Sequence, residues 1–419
     1  MYIPPIATRR QFLGRGLGIV GIGSVLPTYM LRSALAGPQA AGGERIVVAL
    51  LLTGGPDGLS LVPPYAHDEY YRYRKTLAYA PKDVLKLNDE VGLHPRLTGC
   101  KKFFDEGRMA AVLGTAYPNV NLSHFTSRDV WEAGDEQNVS GRPGATGWLG
   151  RFVDYACSGD PDPTLSVAVG PGKHPLIVTG KEHPGIGFSS PDSFRFVGAN
   201  SADSQALYAK LNEMMPADCP DDLQFVTQTA VNANAASAKI SELATRYQTP
   251  VSYPDTQFGN SVKTIAGLIN GSLKARAYYA AQGIAVFGGF DTHADQIRRL
   301  DNLLAELDQT LTAFYADLAR CGNGDRVLTY TFSEFGRRVQ ENFSGGTDHG
   351  LAQPIFLFGS GLKPGVHGKQ PSLADLDERG NLKMQNDFRG VYAAILEKWL
   401  GVPSQAVLGV KYPLSECIA

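Results

Sequence analysis

Three short segments in the last third of the 419-residue chain set oxygen and nitrogen ligands just past apolar runs: Phe290-Asp291-Thr292-His293, Ser333-Glu334-Phe335-Gly336-Arg337 and Thr347-Asp348-His349-Gly350. Carboxylates and imidazoles gathered in this way suit a hard or borderline divalent cation, such as Zn, Mn, Fe, Mg or Ca, better than a soft one. Asp291 and His293 stand two apart, so an extended loop turns both to one side; helix capping by Asp291 or Thr292 is the plainer alternative. Gly345, Gly346 and Gly350 flank Asp348 and His349 and let the backbone fold tightly around an ion. Glu334 closes an otherwise apolar run. Arg337 follows it, either as its structural partner or as a bidentate holder of a phosphate or sulfate group.

The first half of the chain offers the complement. Asp57 lies in the turn Thr53-Gly54-Gly55-Pro56-Asp57-Gly58, where backbone can approach a metal or phosphate closely. Ser123 precedes a helical stretch, and a helix amino terminus stabilises negative charge. It is therefore the candidate nucleophile, although serine also caps helices routinely. His124 beside it could orient a substrate or bind a metal, and His94 in Gly92-Leu93-His94-Pro95 is a weaker candidate for the same pocket. No G-x-S-x-G elbow surrounds Ser123, but a serine activated by a metal needs no histidine base. His67, His174, His183 and His367 belong to no constellation.

These residues need a scaffold that gathers loops from distant parts of the chain. Apolar runs at 45–52, 109–113, 165–169, 284–287, 327–332 and 354–358 read as strands. They alternate with helical patterns at 126–133, from 147, at 296–318 and at 388–400. Such alternation predicts a three-layer α/β/α sandwich with a mostly parallel sheet, whose ligands gather at the carboxyl ends of the strands. The stretch 201–281 is poor in strand signals and reads as a helical insertion.

Composition narrows the class. A content of 43% hydrophobic and 19% charged residues fits a globular protein. Residues 1–36 read as an export signal: Arg9-Arg10, a glycine-diluted apolar stretch from Leu17 to Leu26, then Ala34-Leu35-Ala36. Thr8-Arg9-Arg10-Gln11-Phe12-Leu13 resembles the twin-arginine motif, which implies the twin-arginine export machinery as a partner and a periplasmic or secreted location. Removing that segment takes four arginines and no acid, leaving 35 basic against 41 acidic residues, a net charge of −6 in place of −2. No basic stripe remains for a nucleic acid. The five cysteines contain no CxxC pair, and one or two disulfides are compatible with an oxidising compartment.

Taken together, Gly54-Gly55-x-Asp57-Gly58-Leu59, Gly92-Leu93-His94-Pro95, Tyr117-Pro118-Asn119, Ser123-His124-Phe125, Gly147-Trp148-Leu149-Gly150-Arg151 and the three carboxyl-terminal segments resemble the DUF1501 family over nearly all of the chain beyond residue 36. That family is similar in turn to the alkaline phosphatase and sulfatase superfamily. The second resemblance implies an acid after the first strand, a Ser or Thr nucleophile at a helix start, and Asp/His pairs around two metals. Asp57 and Ser123 match the first two, Asp291 with His293 the next pair, and His349 the last histidine. Glu334-Phe335 departs from the usual Asp-His pair, and Asp348 is an addition. The expectation is an exported hydrolase of anionic phosphate or sulfate esters using one or two divalent ions. Asp57, Asp291, His293, Glu334, Asp348 and His349 would be ligands, Ser123, His124 and Arg337 catalytic, and His94 and Arg337 substrate-binding. The alternative is a non-catalytic exported metal-binding protein that binds a partner protein or a surface polymer.

Overall fold

The computed structural model describes residues 45–159, 161–190, 235–284 and 288–419, with a few positions between 201 and 210. The expected signal lies outside the described residues. Among them, no helix is long and apolar enough to cross a membrane.

The first strand, β1 (Ile46–Leu52), is buried along its whole length and forms the spine of the sheet. Its side chains alternate between two cores. Ile46, Val48, Leu50 and Leu52 pack on one face with α1 (Thr98–Asp105), α4 (Gln257–Asn270) and α5 (Gln296–Arg320). Val47, Ala49 and Leu51 pack on the other with α2 (His124–Ala133), α3 (Trp148–Ala156) and α6 (Phe388–Ala394). A strand covered on both faces must be a continuous apolar run, which is why this one is legible as such. Each large aliphatic side chain so buried contributes roughly 1.5–3 kcal/mol, and two such faces make the three layers of the expected sandwich.

The remaining strands are β2 (Met109–Ala116), β3 (Ser166–Val169), β4 (Ile186–Phe188), β5 (Ala277–Gln282), β6 (Val327–Phe332), β7 (Gln353–Phe358), β8 (Gly365–His367) and β9 (Asn386–Asp387). Their order is β8-β2-β7-β6-β1-β5-β3-β4, with β9 beside β2. β1 pairs in parallel with β5 and β6, and only β7 runs antiparallel to its neighbours. The carboxyl ends of β5, β1 and β6 therefore lie side by side.

Two expectations change. Among the described residues the strand that feeds the Asp291 loop is β5; of the expected run 284–287, residues 285–287 lie outside the described residues. β5 also ends the helical stretch before 281, and α4 is a layer helix packed on the sheet rather than part of a cap. Ala277-Tyr278-Tyr279-Ala280-Ala281-Gln282 carries no β-branched residue, so its strand character comes from its neighbours; all six residues are buried. The closing helix is α6 followed by a π-helical turn over Ile395–Trp399. Cys100, Cys157, Cys321 and Cys417 are free thiols, and Cys219 lies outside the described residues.

Candidate metal centre

At this edge the turn after β1 is threaded against the other two loops at backbone distance. Gly54 has φ +111°, and a Cβ there would stand 2.5 Å from the Asp291 amide nitrogen and 2.7 Å from the Gly288 carbonyl oxygen. Only glycine permits both the conformation and the approach. The amides of Gly54 and Gly55 donate to Glu334 Oε2 at 2.9 and 3.0 Å. Their carbonyls accept from Arg337, Gly55 from Nε at 2.6 Å and Gly54 from Nη2 at 2.5 Å. Arg337 also donates to the Thr347 carbonyl at 3.0 Å and to Asp291 Oδ1 at 2.5 Å, and its Nη1 lies 3.5 Å from His293 Nε2. Four of its five N–H groups thus have an oxygen acceptor inside the protein, and the fifth points toward His293.

Asp291 is the hub. Its Oδ1 lies 3.1 Å from His293 Nε2 and 3.2 Å from His349 Nε2, and its Oδ2 lies 3.7 Å from His124 Nε2. One ligand atom each from His124, Asp291 and His349 falls within 4.8 Å of the others. Burial pulls the Asp291 carboxyl upward, but the imidazoles of His124 and His349 beside it, and the hydrogen bond and charge of Arg337, hold it well below the usual carboxylate range. It is an anion at any working pH.

The far side of each imidazole fixes its near side. His349 Nδ1 lies 3.1 Å from the Leu122 carbonyl, which only accepts, so Nδ1 carries the proton and the neutral ring presents a bare Nε2. His293 Nδ1 faces Asp348 Oδ1 at 3.2 Å in the same sense. The two Nε2 atoms then stand 3.1 Å apart, both against Asp291 Oδ1. Lone pairs facing lone pairs repel unless a cation or a proton lies among them; Arg337 covers Asp291 Oδ1 and one side of His293, and the remaining side of this donor set, toward His349 and His124, fits a divalent ion. Phe335, fully buried, packs under His124 and His349 with ring centroids 4.9 and 4.6 Å away.

The structure brings His124, Asp291, His293 and His349 together, leaves Ser123 and Glu334 beside them, and gives Asp57, Asp348, Arg337 and His94 other partners. Asp57 is fully buried in a bidentate pair with Arg74, at 2.5 and 2.9 Å. Ser60 and Gln296 also donate to it, at 2.6 and 2.7 Å, so its acceptor capacity is used and it is not a ligand. Asp348 turns to the outer nitrogen of His293 and to Asn342, which makes it an orienting partner rather than a ligand. Arg337 spends four of its N–H groups on the site's backbone and Asp291 and turns the fifth toward His293, so it is buried in the site's frame rather than aimed at the cleft. His94 is buried against Tyr79, 2.7 Å from its hydroxyl; burial, opposed by Asp301, holds its pKa down at about 4, and no contact joins it to the cluster. Ser123 is exposed at the start of α2 and its side chain makes no capping hydrogen bond, so the routine helix-cap role is not realised. Glu334 is fully buried; its Oε2 is held by the glycine amides, while its Oε1 has no partner and the residue lines the adjoining cleft.

That cleft, of about 980 Å³, opens beside Asp291 and His124. Its wall includes two residues that the sequence reading passed over, Arg128 and Glu132, at i+4 and i+8 from His124 on α2. This spacing was the available signal, since i, i+4 and i+8 share a helix face. Gln296 was also missed: its Oε1 accepts from Thr292 and Thr347 at 3.0 and 2.7 Å while its amide nitrogen holds Asp57, tying both ligand loops to the first turn.

Burial pushes the Glu132 carboxyl up to about 7, against the opposing charge of Arg128. Between its ordinary value of 4.5 and about 7 the folded state binds more protons than the unfolded one, so stability falls as pH rises through that window. Glu132→Gln is expected to raise stability by on the order of 2 kcal/mol at pH 8 and by little at pH 4. Urea midpoints at the two pH values check this.

Residues 44–388 match the family model described as "Protein of unknown function (DUF1501)". The chain belongs to the DUF1501 family. No curated protein matches this DUF1501 chain. Among solved structures it is similar to Ps i-CgsB in complex with k-i-k-neocarrahexaose, at 10% identity and TM-score 0.41, covering 88% of this chain and 73% of that one. It is similar also to the C-terminal periplasmic domain of EcEptC from Escherichia coli in complex with Zn, at 10% identity and TM-score 0.35, covering 78% and 77%. The alkaline phosphatase from the Antarctic bacterium TAB5 is similar at 10% identity and TM-score 0.30, covering 77% and 93%.

Proposed function

We propose that this DUF1501 protein is an exported, metal-dependent hydrolase of phosphate or sulfate esters, its ion held by Asp291, His293, His349 and His124. The observation that carries the reading is the convergence of two bare imidazole nitrogens on one ionised carboxylate at the edge of a deep cleft. A divalent ion there would supply Lewis-acid polarisation of the ester oxygens. Glu334 Oε1, buried, unpartnered and on the same cleft wall, is the oxygen available to a second ion.

The chain's own groups supply the rest. The amino-terminal end of α2 offers backbone N–H groups and a positive dipole end to an anion. Ser123, beside His124 and free of a capping bond, is the proposed nucleophile. Arg337 keeps Asp291 ionised and aimed, and Asp348 and Leu122 keep His293 and His349 turned inward. The signal segment at 1–36 supports export by the twin-arginine route.

Metal analysis of full-length protein purified without chelator, with turnover of 4-nitrophenyl phosphate and sulfate before and after chelation, tests the reading. A bound ion and chelator-sensitive turnover are expected. A bound ion without turnover of any ester would leave the non-catalytic metal-binding alternative.

A further inference from the structure

The cleft is much larger than an ester group requires, and its far wall carries chemistry that the metal centre does not use. Along α2 each residue advances about 1.5 Å, so Arg128 lies about 6 Å and Glu132 about 12 Å beyond His124. Glu132 is therefore too distant to act on an atom bonded at the centre, and whatever it touches is the remainder of the ligand. A space of about 980 Å³ lies at the upper end of the range for whole small-molecule sites.

Both groups have unused capacity. The Arg128 guanidinium lies 5.9 Å over the Phe125 ring and, among the described residues, makes no hydrogen bond or ion pair. Glu132 is 3% exposed; its Oε2 accepts from the Ile177 amide at 3.2 Å, its Oε1 lies 3.5 Å from the Tyr279 hydroxyl, and the Leu176 amide adds a weaker contact, so room for a further donor remains. The cleft thus holds free cationic donors and a buried, under-satisfied acceptor one helical turn apart. A second anion bound here would face Glu132, and an ammonium would face Arg128. A neutral group that both accepts and donates satisfies the pair, and adjacent hydroxyls do so: one accepts from the guanidinium while its neighbour donates to the carboxylate. Burial holds the Glu132 carboxyl near 7, so its protonated form can donate as well. Phe125, Phe188 and Pro171 supply apolar surface for the carbon faces of such a ligand.

We infer that Arg128 and Glu132 form a subsite for a vicinal diol, so that the esters this cleft takes are those of polyhydroxylated alcohols such as sugars. The inference rests on the hydrolase reading for the ester end of the ligand and adds the class of its alcohol.

The test compares wild type with Glu132→Gln, whose amide oxygen can still accept from Ile177, and with Arg128→Gln. All are full-length and metal-loaded, and the probes are glucose 6-phosphate and glucose 6-sulfate against 4-nitrophenyl phosphate and 4-nitrophenyl sulfate. The ratio of kcat/KM for the sugar ester over the aryl ester is expected to fall about tenfold in each variant, with metal content unchanged. A fall of less than threefold in both variants overturns the diol subsite while leaving the hydrolase reading intact. If no ester is turned over, the hydrolase reading fails and calorimetry with glucose 6-phosphate and glucose 6-sulfate decides the subsite separately. Binding by wild type that weakens about tenfold in Glu132→Gln supports it; equal binding, or none by wild type, overturns it.

Discussion

Asp291→Asn is expected to fold, to lose its metal, and to lose at least about three orders of magnitude of ester turnover, the equivalent of the several kcal/mol a bound cation contributes to the transition state. Asn keeps the side-chain size and an oxygen that accepts from Arg337, so the loops can still close. It removes the one anion in the group His124, Asp291, His349, and two or three neutral imidazoles without a carboxylate hold a hard divalent ion far less well. The Arg337 guanidinium, almost wholly buried, loses its counter-ion but retains the Gly54, Gly55 and Thr347 carbonyls. The stability cost is therefore modest, about 1–3 kcal/mol for a weakened charged hydrogen bond. Metal content after dialysis, read beside circular dichroism and turnover, checks the pair of effects. A variant that keeps a full complement of ion would remove Asp291 from the centre. Since the Asp291 carboxyl is held well below the usual carboxylate range, mild acidification leaves this residue an anion.

Why the sequence disclosed some of these roles and hid others follows from what a residue type can reveal. The convergence of His293 and His349 on Asp291 was foreshadowed because imidazoles beside acids and glycines, just past apolar runs, have few purely structural uses at a sheet edge. The sandwich was legible from β1, whose unbroken apolar character states that both faces are covered, and from β6, interrupted only by Thr329 and Thr331. Asp57 and Arg337 misled for one reason: their types and positions suit a metal and an anion, but their partners are set by the fold. Arg74 stands on the short helix Asp68–Tyr73 at its carboxyl end, and nothing in the spacing of 57 and 74 announces a buried pair. The acceptors that occupy Arg337 are mostly backbone carbonyls, which no pattern of side chains displays. Arg128 and Glu132 were concealed differently, since charged residues on a helix read as a solvated face until the wall of the cleft is seen to include them. β5 was hidden because its Ala-Tyr-Tyr-Ala-Ala-Gln sequence becomes a strand by pairing with β1 and β3, against weak local preference.

The separation of Asp57 from the metal is itself testable, because ligand and structural roles predict opposite results for one substitution. Asp57→Asn leaves the Arg74 guanidinium buried without its counter-charge, and breaking a buried pair in this way costs about 3–5 kcal/mol. The loss extends beyond the pair. Arg74 also donates to the carbonyls of Val339 and Arg338, just past Arg337, and Asp57 anchors Gln296, which holds Thr292 and Thr347. Burial raises the Asp57 carboxyl, but the Arg74 charge and the hydrogen bonds from Arg74, Ser60 and Gln296 outweigh it and bring it below its ordinary value of 3.8. A depressed carboxylate stabilises the fold above its unfolded pKa and ceases to do so as pH falls through the folded one. The difference between wild type and Asp57→Asn in urea midpoint should accordingly be full at pH 7 and shrink only below about pH 4. The folded variant should still bind its ion with unchanged stoichiometry at saturating metal, in contrast to Asp291→Asn, which keeps most of its stability and loses the ion. Wild-type stability combined with lost metal in Asp57→Asn would return Asp57 to the coordination sphere and detach it from Arg74.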